Sequence, residues 1–195
     1  MQMRRFRLLP NLSIILTIAM GTTSAQQNNQ KKGPAGPPMT MTIPAFKDGS
    51  ETPIKYSCSN APSGVSPEIR WENPPAATES FAILLHDPEP HPQKGMYDNT
   101  HWFIWNLPAS MRELPEGVPS TGELPNGARQ AKGPRGEFGY FGPCAPPGPP
   151  HHYTFDLYAL DTMLDVPAGS SRTDIMKAMD GHVLAAAIYI TLFHR

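Results

Sequence analysis

The sequence predicts a mostly β domain with one short helix near its C-terminus. Five short apolar runs, rich in β-branched and aromatic residues, are separated by segments that contain turn-forming Pro, Gly and Asn, which is typical of strands joined by loops. The 24 prolines are about twice the usual frequency, and so many prolines disfavour a helical bundle. The predicted strands cover residues 41–46, 80–86, 102–107, 153–160 and 187–193.

Two of these strands lack the alternation of polar and apolar residues that marks a half-exposed strand. Residues 83–85 (ILL) and 103–105 (FIW) are continuous apolar runs, so both strands are predicted to be covered on both faces. The helix prediction rests on residues 171–174 (SRTD), which have the spacing of a capping box with Asp in place of the usual Glu. An apolar face follows the box, and Gly181 fits a C-terminal stop.

The first 38 residues have the features of targeting and linker sequence. Three arginines, a short apolar run and the small residues Thr23-Ser24-Ala25 follow in the order of a secretory signal peptide, predicted as residues 1–25. A membrane anchor is the alternative, but the apolar run is about half the ~20 residues that a spanning helix needs. Residues 26–38 (QQNNQKKGPAGPP) are predicted to be a disordered linker before a single domain at 39–195. The mature chain is therefore expected to be periplasmic or secreted, without a transmembrane segment.

Charge and motifs exclude several function classes. Without the three arginines of residues 1–25, 13 basic and 17 acidic side chains remain, a formal charge of −4, which disfavours nucleic-acid binding. The G-x-S-x-G, H-E-x-x-H and P-loop motifs of common hydrolases and nucleotide-binding proteins are missing from the sequence. Cys58 and Cys144 lack metal-ligand spacing, and in an oxidising compartment they could form a disulfide.

Histidines and acidic residues recur at the ends of predicted strands. Asp87 follows one strand, His101 precedes the next, and His151 precedes a third, directly after a Gly/Pro-rich loop. If these ends converge at one edge of a sheet, the cluster would suit a small anion, because protonated imidazoles donate hydrogen bonds. The same residue types would also suit a metal ion or a His-Asp general base, and the spacing does not choose between the three.

Six motifs in the same order resemble the phosphatidylethanolamine-binding protein family, which includes the Raf kinase inhibitor-like proteins. The resemblance runs from about residue 39 to residue 195. The family elements and their counterparts here are Y-T-C (residues 56–58, YSC), S-P-x-L-x-W (66–71, SPEIRW), D-P-D-x-P (87–90, DPEP), the H-W strand (101–108, HWFIWNLP), the G-Y-x-G-P-C loop leading to H-R-Y-x-F and Y-A-L-D (139–161), and the C-terminal segment 178–185 (AMDGHVLA).

The resemblance implies a large antiparallel sheet packed on a smaller one, with short peripheral helices. It also implies a small pocket for phosphate or phosphorylated head groups, formed by Asp87, His101, Gly142, Pro143 and His151, with Tyr153 beside it. The function that follows is non-catalytic ligand binding, without a cofactor or a metal ion. Two alternatives remain: a regulator that inhibits a partner kinase or protease, and a hydrolase that uses an Asp-His pair.

The chain departs from the family pattern at two positions near this pocket. Glu89 replaces the second Asp of the acidic element, and its longer side chain is expected to alter the pocket mouth. His152 replaces the usual Arg, which removes a permanent charge and is expected to weaken local ion pairing.

Overall fold

The computed structural model describes residues 36–89 and 98–195 of the chain. The predicted signal peptide and residues 26–35 of the predicted linker lie outside the described residues. The strands in chain order are β1 (Thr40–Thr42), β2 (Ser50–Glu51), β3 (Ile69–Glu72), β4 (Ser80–Asp87), β5 (Asn99–Pro108), β6 (Glu113–Leu114), β7 (Arg129–Gln130), β8 (His151–Leu160) and β9 (Val183–Phe193), and the helical elements are a 3₁₀ turn at Ile54–Tyr56 and α1 (Arg172–Met179).

Nine strands form two sheets within the described residues. The large sheet has the order β2-β9-β8-β4-β5-β7, and neighbours among its four long central strands, β9, β8, β4 and β5, are antiparallel. β2 pairs in parallel with the outer strand β9. The small sheet has the order β1-β3-β6 and is antiparallel. The predicted fold class, a large sheet and a smaller sheet with little helix, is therefore confirmed.

The long strands occupy the predicted positions, whereas the short strands are mostly new. β4, β5, β8 and β9 contain the corresponding predicted segments and extend them by one to four residues. The predicted strand at 41–46 is wrong in length, because β1 ends at Thr42 just before Ile43-Pro44, and proline cannot donate a ladder hydrogen bond. β2, β6 and β7 have only two residues each, too few to show a period of two, and β3 has four.

Two apolar layers cover the large sheet, one on each face. Ile83 and Leu85 of β4 belong to the layer that faces the small sheet, which contributes Met41, Ile69 and Trp71. The neighbouring residue Leu84 belongs to the layer that includes Ile175 and Met179 of α1. β4 is therefore buried along nearly its whole length, as its continuous apolar run predicts, because alternate residues point to opposite faces.

β5 contains two bulges, and one of them lies at a predicted pocket residue. Leu85 pairs with Trp102, but the next residue of β4, His86, pairs with Thr100, so His101 is an extra residue in β5. A second irregularity precedes Leu107 and includes Asn106, whose φ is 59°. A bulge changes the direction in which side chains leave the strand, so the position of His101 does not follow simple alternation.

The helix α1 begins as the capping box predicts. Ser171 is the N-cap, and its Oγ accepts a hydrogen bond from the main-chain N–H of Asp174. Arg172, in the first turn, lies with Nη1 2.7 Å from a carboxylate oxygen of Asp98, just before β5. Asp98 in turn lies 2.7 Å from Nδ1 of His86 on β4. This chain of contacts joins α1 to β4 and to the start of β5.

The imidazole of His86 lies between two carboxylates. Its Nε2 is 3.1 Å from Asp156 on β8, and Asp156 also accepts a hydrogen bond from the Tyr158 hydroxyl. Burial alone would lower the pKa of His86, but the hydrogen bonds to Asp156 and Asp98 outweigh burial, and the pKa is raised. Burial and the Asp156 carboxylate raise the pKa of Tyr158 to about 12, so that hydroxyl remains a donor at neutral pH.

We expect the protonated His86 to stabilise the fold in acid and this contribution to disappear as pH rises. The folded-state pKa lies above the unfolded value near 6.5, so the stabilisation is complete below about pH 6.5 and is lost as pH passes through the raised folded value. Urea unfolding of the wild type and His86→Gln across this range measures it. The difference in unfolding free energy between the two proteins should shrink with rising pH, and a difference that grows or stays constant would contradict the assignment.

Candidate functional site

An acidic residue and a histidine meet where β4 ends and β8 begins. Asp87, the last residue of β4, is fully buried, and its Oδ2 lies 2.9 Å from Nδ1 of His151. Its other oxygen, Oδ1, accepts a hydrogen bond from the main-chain N–H of Glu89. This contact is an Asx turn, which the sequence Asp87-Pro88-Glu89 favours because proline fixes the backbone between the two partners. The turn holds the carboxylate toward β8.

The His101 ring is held in place by the loop that precedes β8. Its Nδ1 lies 3.1 Å from the carbonyl oxygen of Phe141 and 3.1 Å from that of Gly142. Carbonyl oxygens only accept hydrogen bonds, so Nδ1 carries a proton and donates. The His101 ring also stacks on the Phe141 ring, with centroids 5.4 Å apart. The Arg135 guanidinium lies 4.6 Å from the centroid of the Phe141 ring. Nδ1 is consequently occupied by the loop, and a ligand of His101 would have to meet Nε2.

Gly142 and Pro143 lie against the segment that contains Cys58. The Gly142 N–H donates to the carbonyl of Ser63, and the Pro143 carbonyl accepts from the N–H of Cys58. Cys58 and Cys144 form a disulfide with a Cα–Cα distance of 5.3 Å. A Cβ on Gly142 would lie 2.3 Å from the main-chain oxygen of Tyr56, so only glycine allows this approach.

Tyr153 lies at the base of the site, where β8 leaves the loop. Its ring meets the His101 ring edge-on, with centroids 5.1 Å apart. Its hydroxyl accepts a hydrogen bond from the main-chain N–H of Cys144. Burial and the neighbouring Asp87 carboxylate raise the pKa of Tyr153 well above its ordinary value. The neutral hydroxyl therefore links the loop to the acidic residue of β4.

The structure brings the six residues predicted for the pocket together through these contacts. Asp87 contacts His151, His101 contacts the Gly142 carbonyl and Tyr153, and Pro143 lies between Gly142 and the bridged Cys144. Their role in binding a ligand stays a prediction. Phe141 was not predicted as a site residue, although it supports His101 through both its ring and its carbonyl. The only indication in the sequence was that Phe141 lies in the G-Y-x-G-P-C loop, where it occupies the variable position x.

The two departures from the family pattern lie in contact with each other. The Glu89 carboxylate accepts a hydrogen bond from the main-chain N–H of His152 at 2.7 Å, and its other oxygen is 2.9 Å from Nδ1 of the same residue. Glu89 also lies 3.8 Å from Nδ1 of His151. The expected loss of ion pairing at His152 is therefore offset by a new partner, since the longer side chain of Glu89 reaches β8.

A membrane-spanning helix is not found among residues 36–89 and 98–195, where no helix has the length and apolar content to cross a bilayer.

Comparisons with curated proteins and solved structures give one family. A UPF0098 protein of Methanothermobacter thermautotrophicus is 41% identical over 80% of this chain and 99% of its own length. A protein of Mycobacterium tuberculosis that has the lipoprotein name LppC is 34% identical over 75% of this chain and 67% of its own length.

Two crystal structures share the fold. A phosphatidylethanolamine-binding protein homologue of Chlamydia trachomatis, CT736, has a TM-score of 0.71 at 32% identity, covering 81% of this chain and 98% of that one. Escherichia coli YbcL, described as a new member of the mammalian PEBP family, also has a TM-score of 0.71, at 27% identity over 80% of this chain and 98% of its own.

The family model described as phosphatidylethanolamine-binding protein matches residues 42–194. That span contains both sheets apart from the first two residues of β1, and it contains every residue of the site described above. The match, the order of motifs and the fold agree, and the chain belongs to the phosphatidylethanolamine-binding protein family.

Proposed function

We propose that this chain is an exported, non-catalytic binding protein whose pocket takes phosphate or a phosphorylated head group. The observation that carries the proposal is the convergence of three segments of the chain: Asp87 ends β4, His101 lies in β5, and Gly142 and His151 belong to the loop and strand around the start of β8. Protonated imidazoles donate hydrogen bonds to anions, and the Gly142 N–H, which donates to the Ser63 carbonyl, holds the loop beside them. The family's name refers to a phosphate-containing lipid head group, which fits the same chemistry.

The proposal of export has three supports. The first 25 residues have the order of a secretory signal peptide. The related LppC protein of Mycobacterium tuberculosis is named as a lipoprotein, which indicates a cell-envelope location for that relative. The disulfide between Cys58 and Cys144 is also of the kind that persists outside the reducing cytosol.

We expect His101→Asn to bind phosphate and phosphoethanolamine more weakly by about 1.5–3 kcal/mol, the scale of a hydrogen bond to a charged group. Asparagine can place a donor near the position of Nδ1 and so keep the contacts to the Phe141 and Gly142 carbonyls, while it removes Nε2. Isothermal titration calorimetry measures the affinity, and circular dichroism checks the fold. His182→Ala is the control. His182 is exposed and precedes Val183, which lies at the far end of the β8–β9 ladder from His151. The affinity of this variant for phosphate should stay at the wild-type value.

Two results would contradict the proposal. Equal affinity in well-folded His101→Asn and wild-type protein would show that the ligand binds elsewhere. The buried Asp87 beside His151 is also a pair that can act as a general base, so the same samples should be incubated with phosphate esters. Phosphate release that disappears in Asp87→Asn would favour the hydrolase.

A further inference from the structure

We propose that Asp87, Glu89 and His151 bind a divalent cation of the zinc type, and that the phosphate group of the ligand binds to this ion. The second part rests on the proposed function, whereas the ion site stands on its own geometry. The residue types at these strand ends left a metal site open, and only the family resemblance implied binding without a metal ion. The contact between β4 and β8 is what assembles them.

The three possible ligand atoms are close enough to share one ion. Nδ1 of His151 lies 2.9 Å from Oδ2 of Asp87 and 3.8 Å from Oε2 of Glu89, and one ligand atom from each residue lies within 4.8 Å of the others. Bonds from zinc to nitrogen or oxygen are about 2.0–2.2 Å long, so neighbouring ligands of a tetrahedral ion are about 3.4 Å apart. The observed separations bracket that value, and small side-chain movements would complete the site.

The donor types favour zinc over the lighter divalent ions. Calcium and magnesium prefer shells made of oxygen atoms, whereas zinc binds imidazole nitrogen together with carboxylate oxygen. Three protein ligands also leave a fourth position of a tetrahedral ion open. A water molecule or a phosphate oxygen would fill that position.

Neighbouring groups already orient the two carboxylates. The Asp87 carboxylate is fixed by the main-chain N–H of Glu89, and the Glu89 carboxylate is fixed by the N–H and ring of His152. Such outer contacts are typical supports for metal ligands. Asp87 is completely buried, whereas the side chains of His151 and Glu89 are 14% and 31% exposed. An ion would therefore enter from the side of His151 and Glu89.

The ion would also resolve a conflict of charge in the proposed pocket. Two carboxylates next to an anionic ligand repel it unless a positive charge lies between them. A bound divalent cation would supply that charge and would contact the carboxylates on one side and the phosphate on the other. The presence of Glu89 in place of the family's Asp adds reach to the second carboxylate.

The ion site is tested first without any phosphate. The full mature protein is treated with a chelator, exchanged into phosphate-free buffer and titrated with ZnCl₂ by calorimetry. We expect one zinc ion per chain, and at least about tenfold weaker binding in Glu89→Gln, the scale of losing one of the contacts that hold the metal. Glutamine keeps an oxygen for His152, so the fold should persist. Glu116→Gln is the matched control, because Glu116 is an exposed carboxylate whose partners are Lys55 and Tyr56.

The ligand's part is tested with Co²⁺ in place of zinc, because its absorption spectrum reports coordination. Phosphoethanolamine is the probe, since inorganic phosphate precipitates zinc. Addition of phosphoethanolamine should change the Co²⁺ bands, and zinc should raise its affinity about tenfold or more relative to chelator-treated protein. The Glu89→Gln protein should show neither effect.

The outcomes separate this inference from the proposed function. Absence of stoichiometric zinc binding, or equal zinc affinity in Glu89→Gln and Glu116→Gln, overturns the ion site. Zinc binding without any effect on phosphoethanolamine overturns the ligand's part. If phosphoethanolamine binds equally well after chelation, the proposed function stands without the ion. If zinc binds but phosphoethanolamine never does, the ion site stands and the proposed function fails.

Discussion

The Cys58→Ser/Cys144→Ser protein is expected to lose about 3–4 kcal/mol of unfolding free energy relative to the wild type. The bridge joins residues that are 86 positions apart, and closing so long a loop removes much conformational freedom from the unfolded chain. Each of these cysteines is only partly buried, so serine creates little cavity, and the loss should come mainly from the missing cross-link. Urea unfolding followed by circular dichroism measures the difference.

A reductant gives the matched control for this experiment. Dithiothreitol should shift the urea midpoint of the wild type toward that of the double variant and leave the variant unchanged. Alkylation of denatured protein without reductant reports the bridge directly by intact mass. Two alkyl adducts on the wild type, or a stability loss below about 1 kcal/mol, would show that the cross-link does not stabilise the fold as argued.

Gly142→Ala is expected to destabilise the fold by about 1–3 kcal/mol, the range for an overpacked site, and to weaken phosphate binding by at least about tenfold. The new Cβ would lie 2.3 Å from the Tyr56 oxygen and 2.8 Å from main-chain atoms of Ser57. Both obstacles are backbone, so the loop has to move as a unit. That movement would displace the carbonyl that holds His101.

Gly133→Ala is the control for Gly142→Ala. A Cβ on Gly133 would lie 3.7–3.8 Å from its neighbours, which is ordinary van der Waals contact, although one of those neighbours is the His101 carbonyl oxygen. This variant should keep wild-type stability and affinity within error. Calorimetry with phosphate and urea unfolding measure both properties. A Gly142→Ala protein with wild-type affinity would mean that this loop does not form the ligand site.

The long strands and the helix could be predicted from local sequence because each has enough residues to show its pattern. β4 and β5 were marked by continuous apolar runs, and α1 by its cap at Ser171. The short strands β2 and β6 have two residues each. β2 pairs with β9 and β6 pairs with β3, and this pairing leaves no trace in the two-residue sequences themselves.

The site could be predicted in its members but not in its geometry. Strand ends and family motifs point to Asp87, His101 and His151, whereas the bulge at His101 depends on how β5 pairs with β4. The contact between Glu89 and His152 joins residues 63 positions apart. Considered alone, Glu89 was expected to alter the pocket mouth and His152 to weaken ion pairing, because a single sequence does not show that two unusual residues meet.

The donor role of Nδ1 in His101 has a consequence for which anions could be held there. Two carbonyls require the proton on Nδ1, so a neutral His101 ring presents an acceptor at Nε2. An anion meeting that nitrogen has to bring its own hydrogen. Hydrogen phosphate and the singly ionised phosphate monoesters retain an O–H that can donate, whereas sulfate has none at neutral pH. The tautomer of one buried ring would therefore favour phosphate over an ion of nearly the same size and shape.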